Sequence, residues 1–224
     1  MSESIIHTDG LTKYFGKNRG VGGLELDVHE GEVFGYLGAN GAGKTTTIRM
    51  LLDIIRPTQG KATVFGLDSH KQSLEIRRDI GYLPGELSLY DGMSGIEFLR
   101  YSSNLRGGST SYFGFEIAER LRCDLARPIR DLSHGNKQKL GLIQAFMHRP
   151  RLIILDEPSQ GLDPLVQREF YTMVDEVKQD GRTVFLSSHV LPEAERVCDR
   201  VGFIRDCKMV AVESSEDMKA RALR

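Results

Sequence analysis

The first clear pattern along the chain is an alternation of apolar and polar residues near the N-terminus. Leu24, Leu26 and Val28 are separated by single polar residues. Successive side chains of a strand point to opposite faces, so this pattern predicts a strand with one buried face. Such strands are typical of antiparallel sheets that have one face in solvent. We therefore expect a small antiparallel β-sheet in this region.

A second pattern follows, in which an apolar segment leads into glycines and then into helical spacing. Val33–Leu37 reads as a buried strand that runs directly into a glycine-rich stretch. After the glycines, Ile48, Leu51 and Ile55 recur on one face of a helix, and Pro57 marks the end of that helix. The segment is predicted as strand, loop and helix.

The rest of the chain alternates strands with helices, except for one segment. Residues 86–130 show only helical patterns, interrupted by Gly107 and Gly108, and we interpret them as a helical insertion. Elsewhere the alternation predicts βαβ units and a parallel core sheet, so the fold class is α/β. The other predicted elements are strands at 61–66, Ile80–Leu83, Leu152–Leu155 and Val184–Leu186, helices at Gly135–Met147, 166–177, Pro192–Asp199 and Ser215–Arg224, and a hairpin across Arg205–Lys208.

Length and composition indicate one globular domain without a membrane span. We expect residues 1–224 to form a single domain, with 1–85 and 131–224 as its core and 86–130 as a helical subdomain. The net charge is −1, and no basic stripe stands out along the sequence, so no nucleic-acid partner is expected. No apolar run reaches the roughly 20 residues of a membrane span, and Met1–Gly10 carries no export signal. The expected location is cytoplasmic.

The glycine-rich stretch Gly38–Thr45 fits the pattern G-x-x-x-x-G-K-[ST] between a predicted strand and a predicted helix. Glycines let backbone N–H groups converge on phosphate oxygens, and the helix start adds a positive dipole. Lys44 would reach the β- and γ-phosphates, and the Thr45 hydroxyl would ligate Mg²⁺. The expected ligand is ATP with Mg²⁺, and its predicted contacts are Gly38, Asn40, Gly41, Ala42, Gly43, Lys44, Thr45 and Thr46.

Two acidic residues follow the buried strand Leu152–Leu155, at the strand end where open α/β sheets bind ligands. Successive strand residues point to opposite sides, so Asp156 and Glu157 are expected to have different roles. Asp156 is assigned to Mg²⁺, through a water molecule. Glu157 is assigned to the water that attacks the phosphate.

Three further segments identify the kind of nucleotide-binding protein that the chain resembles. They are 132–139 (LSHGNKQK), 161–164 (GLDP) and 187–189 (SSH). Together with the phosphate loop and the acidic pair, they stand in the order found in the nucleotide-binding domain of ABC transporters. The resemblance covers essentially the whole chain and is closest to bacterial drug- and antibiotic-export ATPases. It implies a P-loop NTPase core, an N-terminal antiparallel β-subdomain and a helical insertion, which together make the ABC ATPase fold.

The resemblance also implies roles for residues outside the phosphate loop. Two domains would pair head to tail as a homodimer stabilised by ATP, and the signature of each would cap the ATP of the other. His189 would contact the γ-phosphate as a catalytic residue, and Asp163 would communicate across the interface. The signature residues that would act in trans are Ser133, His134, Gly135 and Asn136.

An aromatic residue before a glycine would stack on the adenine ring in this family. Tyr14 and Phe15 precede Gly16, and in an extended segment their side chains point to opposite faces, so that only one can stack. Phe15 is the expected stacking residue because it is adjacent to Gly16. The alternative is that Phe15 belongs to the core.

The sequence departs from the family pattern at two places. His134 and Asn136 replace a Gly and the Gln of the commonest signature, so a histidine side chain has to fit at the interface. Gly85 stands where the family has a Gln that touches Mg²⁺. Either Glu86 or water is then expected to complete the metal shell.

The expected function is an ATP-hydrolysing subunit that energises export through a separately encoded membrane permease, on the inner face of the membrane. Two alternatives remain: a soluble ABC-type ATPase that acts on ribosomes or DNA, and a P-loop kinase for small molecules. A ribosome- or DNA-acting ATPase of this type would carry tandem domains, coiled coils or zinc modules. A small-molecule kinase would not need a signature helix. The cargo is not encoded, and export relatives often continue past the position of Arg224, where this sequence ends.

Overall fold

A computed structural model describes residues 4–108 and 111–222 of the chain. The strands are β1 (Ser4–Phe15), β2 (Asn18–His29), β3 (Val33–Leu37), β4 (Gln59–Val64), β5 (Leu67–Asp68), β6 (Ile80–Leu83), β7 (Leu152–Asp156), β8 (Thr183–Ser188), β9 (Arg200–Arg205) and β10 (Lys208–Ser214). The helices are α1 (Lys44–Leu51), α2 (Ser73–Arg78), α3 (Gly95–Leu105), α4 (Ser111–Arg120), α5 (His134–Phe146), α6 (Pro164–Gln179), α7 (Leu191–Val197) and α8 (Ser215–Ala222).

The N-terminal part of the chain forms an antiparallel sheet in the order β2-β1-β4-β5. In β2, Leu24, Leu26 and Val28 are buried, whereas Glu25 and Asp27 are exposed, which confirms the predicted alternation. The spacing of apolar residues did not predict β1. Its pairing with β2 shifts register at several points, and such irregularities disturb the period of two.

The second sheet has the order β10-β9-β3-β8-β7-β6, with parallel pairing throughout except at the edge strand β10. Every residue of β3, β7 and β8 is buried, as expected of parallel strands covered on both faces. The α/β fold with a parallel core and an antiparallel β-subdomain is therefore confirmed. β9 and β10 form the predicted hairpin, and its turn residues Asp206 and Cys207 have φ of 50° and 61°.

The order of the central strands positions the functional site. β3, β8 and β7 are neighbours and parallel, so their carboxyl ends meet at one edge of the sheet. The glycine-rich loop follows β3, the acidic pair stands at the end of β7, and His189 follows β8. Three segments that are far apart in sequence are thereby brought together.

The segment 86–130 contains α3, α4 and a single 3₁₀ turn at Ile129–Asp131 within its described residues. α3 begins with a capping box in which Ser94 accepts from the N–H of Glu97 and the Glu97 carboxylate accepts from Ser94. Apolar residues of α3 and α4 join the core cluster formed around α5, among them Phe98, Leu99 and Ile117. The division into core and helical subdomain stays a prediction.

Some element boundaries differ from those predicted by pattern. α1 ends at Leu51 and does not continue to Ile55, and Asp53 has φ 51° just beyond it. The short helix α2 was not predicted, because Ile76 is its only buried residue and leaves no periodic signal. The last helix was predicted to reach Arg224; it extends to Ala222, and residues 223–224 lie outside the described part of the chain.

None of the helices within residues 4–108 and 111–222 is long and apolar enough to cross a membrane.

Candidate functional site

The glycine-rich loop between β3 and α1 is shaped by close backbone approaches. A Cβ atom at Gly38 would lie 2.4 Å from the carbonyl oxygen of Ile204. One at Gly43 would lie 2.5 Å from the carbonyl oxygen of Gly20, and Gly43 also has φ 108°. Only glycine fits these two positions. The loop therefore curls tightly at the N-terminus of α1, a geometry that suits an anion.

Lys44 is the first residue of α1, at the end of this loop, and is almost completely buried, with 5% exposure. Its Nζ donates to the carbonyl oxygen of Gly38 at 2.5 Å and to that of Ala39 at 3.3 Å. The same ammonium is 3.1 Å from Oε1 of Glu157. Its charge is thus held at the mouth of the loop, where it can meet a bound phosphate.

Asp156 is the last residue of β7 and is only 1% exposed. The Thr45 hydroxyl donates to its Oδ2 at 2.7 Å, and the Ser187 hydroxyl donates to its Oδ1 at 2.5 Å. Burial, with the negative charge of Asp156 as a second cause, raises the pKa of the neighbouring Tyr82 to about 12. The phenol of Tyr82 therefore stays neutral beside this carboxylate at ordinary pH.

The oxygen donors of Thr45 and Asp156 fit a Mg²⁺ ion. Mg²⁺ prefers a few hard oxygen ligands and usually keeps several waters or phosphate oxygens. Within residues 4–108 and 111–222, no group of three or more His, Cys, Asp or Glu side chains could hold a metal ion. Thr45 and Asp156 are thus two candidate ligands, and phosphate, water or Glu86 would supply the others.

Glu157 corrects one expectation of the sequence. Strand alternation predicted that Asp156 and Glu157 point to opposite sides, but β7 ends at Asp156 and Glu157 has φ 52°. Glu157 is thus outside the strand alternation, and both acidic residues line one cavity of about 370 Å³. The other lining residues of that cavity are Asn40, Thr45, Arg49, Gly85, Glu86, Gln160 and His189.

The Glu157 carboxylate connects two of these groups. Its Oε2 is 2.8 Å from Nδ1 of the half-exposed His189. Its buried Oε1 accepts no hydrogen bond from the described residues, although it is close to the Lys44 ammonium. A carboxylate at this position is suited to accept a proton from a water molecule.

Gly85 and Glu86 both line this cavity of about 370 Å³. A Cβ atom at Gly85 would be 3.2 Å from Oδ2 of Asp156, so the glycine backbone packs directly against this carboxylate. Glu86 lines the cavity that also contains Asp156 and Thr45. Glu86, one of the two candidates for completing the metal shell, thus lies in the region of Thr45 and Asp156, and the choice between Glu86 and water stays open to test.

Phe15 is not a core residue, because its side chain is 50% exposed. A Cβ atom at Gly20 would lie 2.8 Å from the Phe15 ring and 3.3 Å from the Thr46 side chain. Phe15 is therefore at the edge of a cavity of about 190 Å³, lined by Gly20, Asn40, Gly41, Gly43, Lys44, Thr45, Thr46 and Glu157. This position suits a ring that stacks on a base.

The segment Ser133–Asn136 lies apart from both cavities, since none of its residues lines either one. Ser133 caps α5 by accepting from the N–H of Asn136 at 3.3 Å, and both Ser133 and His134 are exposed. A Cβ atom at Gly161 would be 2.6 Å from the His134 ring, so this ring packs on Gly161 of the same chain. A single chain does not bring this segment to the phosphate loop.

Asp163 has a local structural role at the start of α6. Its Oδ1 accepts from the N–H groups of Leu165 and Val166 at 3.0 and 3.1 Å. The hydrogen bond from Val166 holds the pKa of Asp163 below its usual value. Its carboxylate is exposed beside Lys139, at the same surface as the start of α5.

Three polar residues of the site were given no role by sequence reasoning. Ser187 donates to Asp156, and Gln138 donates to the backbone of Glu157 and Pro158. Glu193 accepts from Ser159 at 2.8 Å and from Ser188 at 3.0 Å, which joins the segments that follow β7 and end β8. These contacts join distant parts of the chain, so no local sequence pattern predicts them. Ser187 and Gln138 stood inside segments that had been singled out, 187–189 and 132–139, but neither had been given a role.

Comparison with known proteins places the chain in a family. Residues 21–160 match the model of the ABC transporter family. The chain is also 37% identical over 221 residues to the bacitracin transport ATP-binding protein BcrA of Bacillus licheniformis. That alignment covers 97% of this chain and 72% of BcrA. The chain belongs to the ABC transporter family.

Solved structures agree with this assignment to the ABC transporter family. The structure of an ATP-binding subunit of an ABC transporter has a TM-score of 0.87 and 28% identity, covering 98% of this chain and 93% of that one. The dimeric structure of MJ0796, a bacterial ABC transporter cassette, has a TM-score of 0.86 over 94% of this chain and 98% of that one. At 21% identity, MJ0796 supports the fold alone.

The resemblance and the fold class inferred from the sequence are therefore confirmed. This chain is an ATP-binding ABC ATPase, the class to which its phosphate loop, acidic pair and signature pointed. The roles of individual residues stay predictions.

The position of Phe15 predicts that it contributes to nucleotide affinity. Phe15→Ala should weaken ATP binding about fivefold to a hundredfold, because stacking on a base contributes about 1–3 kcal/mol. Tyr14→Ala is the matched control. Tyr14 is similarly exposed, whereas the atoms nearest to a Cβ atom at Gly20 belong to Phe15 and Thr46. Isothermal titration calorimetry with ATP measures both. An equal loss in both variants, or none in Phe15→Ala, would show that Phe15 does not stack.

Proposed function

We propose that the chain binds and hydrolyses Mg²⁺·ATP as a head-to-tail homodimer and energises export through a separately encoded membrane permease. The observation that carries this proposal is the meeting of Lys44, Glu157 and His189 at three adjacent strand ends. The start of α5 stays exposed elsewhere on the surface. One copy thus holds a phosphate site, and its signature faces away from that site.

The residues of the site suit hydrolysis of the terminal phosphate. The loop N–H groups and Lys44 bind the phosphates, and Thr45 and Asp156 would hold Mg²⁺, which neutralises phosphate charge when bound. Glu157 orients a water molecule and accepts its proton. The water oxygen bonds to the γ-phosphorus as the bond to the bridging oxygen breaks, which yields ADP and inorganic phosphate. His189, which is in contact with Glu157, would contact the γ-phosphate.

A second copy of the chain would complete each site. Ser133 and Gly135 stand at the N-terminus of α5, and a helix start is suited to an anion. A two-fold pair would place this start over the ATP of the other copy and would form two equal sites. Asp163 lies on the same face as the start of α5, close to Lys139, and would then lie at the interface.

A surface groove between α2 and α3 suits the permease. The groove has a volume of about 720 Å³. Leu74, Tyr90 and Leu105 line it, and these residues are 76%, 55% and 70% exposed. Arg77, Arg78 and Arg106 line the same groove. Apolar and aromatic residues among arginines favour an amphipathic segment with acidic side chains. We assign this segment to the cytoplasmic side of the permease, which would hold the chain peripherally on the inner membrane face.

The cargo class follows from similarity. The 37% identity to a bacitracin transport ATP-binding protein supports an antibiotic or drug as the cargo. We propose no nucleic-acid partner.

The role of Glu157 is tested by Glu157→Gln. The amide cannot accept the proton of water, so ATP turnover should fall at least a hundredfold, while an ATP-dependent dimer should accumulate. Steady-state ATPase assays and light scattering with and without ATP measure the two effects. Glu119→Gln, on the exposed face of α4, is the control and should behave as the unchanged chain. Normal turnover by Glu157→Gln would exclude this assignment, and a monomer with bound ATP would contradict the dimer.

The groove is tested by charge reversal. The double variant Arg77→Glu and Arg78→Glu should repel an acidic permease segment and move the chain from the membrane pellet to the supernatant. The measurement is the fraction of the chain that sediments with membranes of the source cells. Arg168→Glu on the exposed part of α6 is the control and should stay in the pellet. Retention of the double variant in the pellet would show that the permease docks elsewhere.

A further inference from the structure

A buried amide connects the signature helix to the hydrolytic carboxylate of the same chain. Gln138 is on the first turns of α5, five residues after Ser133, and is only 3% exposed. Its Nε2 donates to the carbonyl oxygen of Glu157 at 3.4 Å and to that of Pro158 at 3.1 Å. A side chain on the signature helix thus holds the backbone that carries Glu157.

The backbone held by Gln138 is in an unusual conformation. Glu157 has φ 52°, and a non-glycine residue keeps a left-handed conformation when its surroundings hold it. The Glu157 N–H donates to the Ser187 carbonyl at 3.3 Å and to the Ser187 hydroxyl at 3.1 Å. Ser187 therefore fixes one side of the residue and Gln138 fixes the other. Without Gln138, the carbonyl side loses its side-chain contact.

Two further contacts join the start of α5 to the same segment. A Cβ atom at Gly135 would be 2.6 Å from the carbonyl oxygen of Gly161. The His134 ring packs against Gly161 from the other direction. The signature start and the segment from Glu157 to Gly161 are thus in direct contact at three points, and a shift of one requires a shift of the other.

We infer that Gln138 is a positioning residue that couples the two ATP sites of the dimer. This inference rests on the proposed function, in which Ser133 and Gly135 cap the ATP of the partner copy. Binding of that ATP fixes the position of the start of α5. The hydrogen bonds from Gln138 then fix the position of Glu157 in the same chain. Each copy then hydrolyses its ATP fastest when its signature is engaged with the ATP of the other copy.

The effect of losing this contact should fall on hydrolysis. A misplacement of about 1 Å at a catalytic group can lower a rate by about a hundredfold. Gln138 is not among the residues lining either nucleotide cavity, so ATP binding itself should not depend on it. The signature of the variant also stays intact, so the dimer should still form.

The test uses two variants of similar shape. Gln138→Met keeps the side-chain length but removes both donors, and Gln138→Glu replaces the donor by an acceptor that faces two carbonyl oxygens. We expect Gln138→Met to lower kcat about tenfold to a hundredfold, with the Kd for ATP within about twofold. Gln138→Glu should lower kcat further. Both variants should accumulate an ATP-dependent dimer in light scattering, as expected for Glu157→Gln.

The matched control is Gln167→Met. Gln167 on α6 donates from its Nε2 to the Ser159 carbonyl at 3.3 Å, which is in the same segment. Ser159 is also held through its hydroxyl by Glu193, so this variant should keep kcat within about twofold of the unchanged chain.

Amide hydrogen exchange separates local positioning from a general loss of stability. In Gln138→Met, exchange should become faster in residues 157–161 and stay unchanged in residues 44–51 of α1. Faster exchange in both segments, or loss of the ATP-dependent dimer, would show a merely structural role and overturn the inference. Unchanged kcat in Gln138→Met would also overturn it. Failure of the proposed function is seen separately, as absent turnover or dimer formation in the unchanged chain and in Glu157→Gln.

Discussion

Because the backbone turns left-handed at Glu157, with φ 52°, both acidic residues at the end of β7 face one cavity. Asp156 is fixed there by the hydroxyls of Thr45 and Ser187. Glu157 lies between the Lys44 ammonium and His189. An extended backbone at this residue would aim the carboxylate away from the loop. The contacts among the segments that follow β3, β7 and β8 thus depend on one backbone conformation.

The sequence predicted the fold wherever the pattern was local. Alternation gave β2, continuous apolar segments gave β3 and β7, and spacing gave α5 and α6, because each of these elements faces a core in a regular way. β1 was not predicted because its register shifts interrupt the alternation. α2 was not predicted because only one of its residues is buried. Periodicity reports which face is buried, and irregular or exposed elements have little of it.

The candidate site was predictable as a set of segments and less so as a geometry. The motifs located the phosphate loop, the acidic pair and His189, and strand order in the sheet then placed them together. Strand alternation does not extend to Glu157, because β7 ends at Asp156 and Glu157 has φ 52°. Gln138 and Glu193 were not assigned because their hydrogen bonds reach backbone or side chains in other segments. The structure shows what contacts the residues at the two departures from the family pattern. Gly85 packs against the Asp156 carboxylate, and His134 packs on Gly161.

The central claim is that one chain holds a nucleotide site that a second copy completes. The most direct measurement follows the ATPase rate per chain and the molecular mass on the same samples, diluted through the range in which the dimer dissociates. We expect the rate to follow the fraction of dimer and to approach zero where the samples are monomeric. A full rate per chain in samples whose mass is that of the monomer would contradict it.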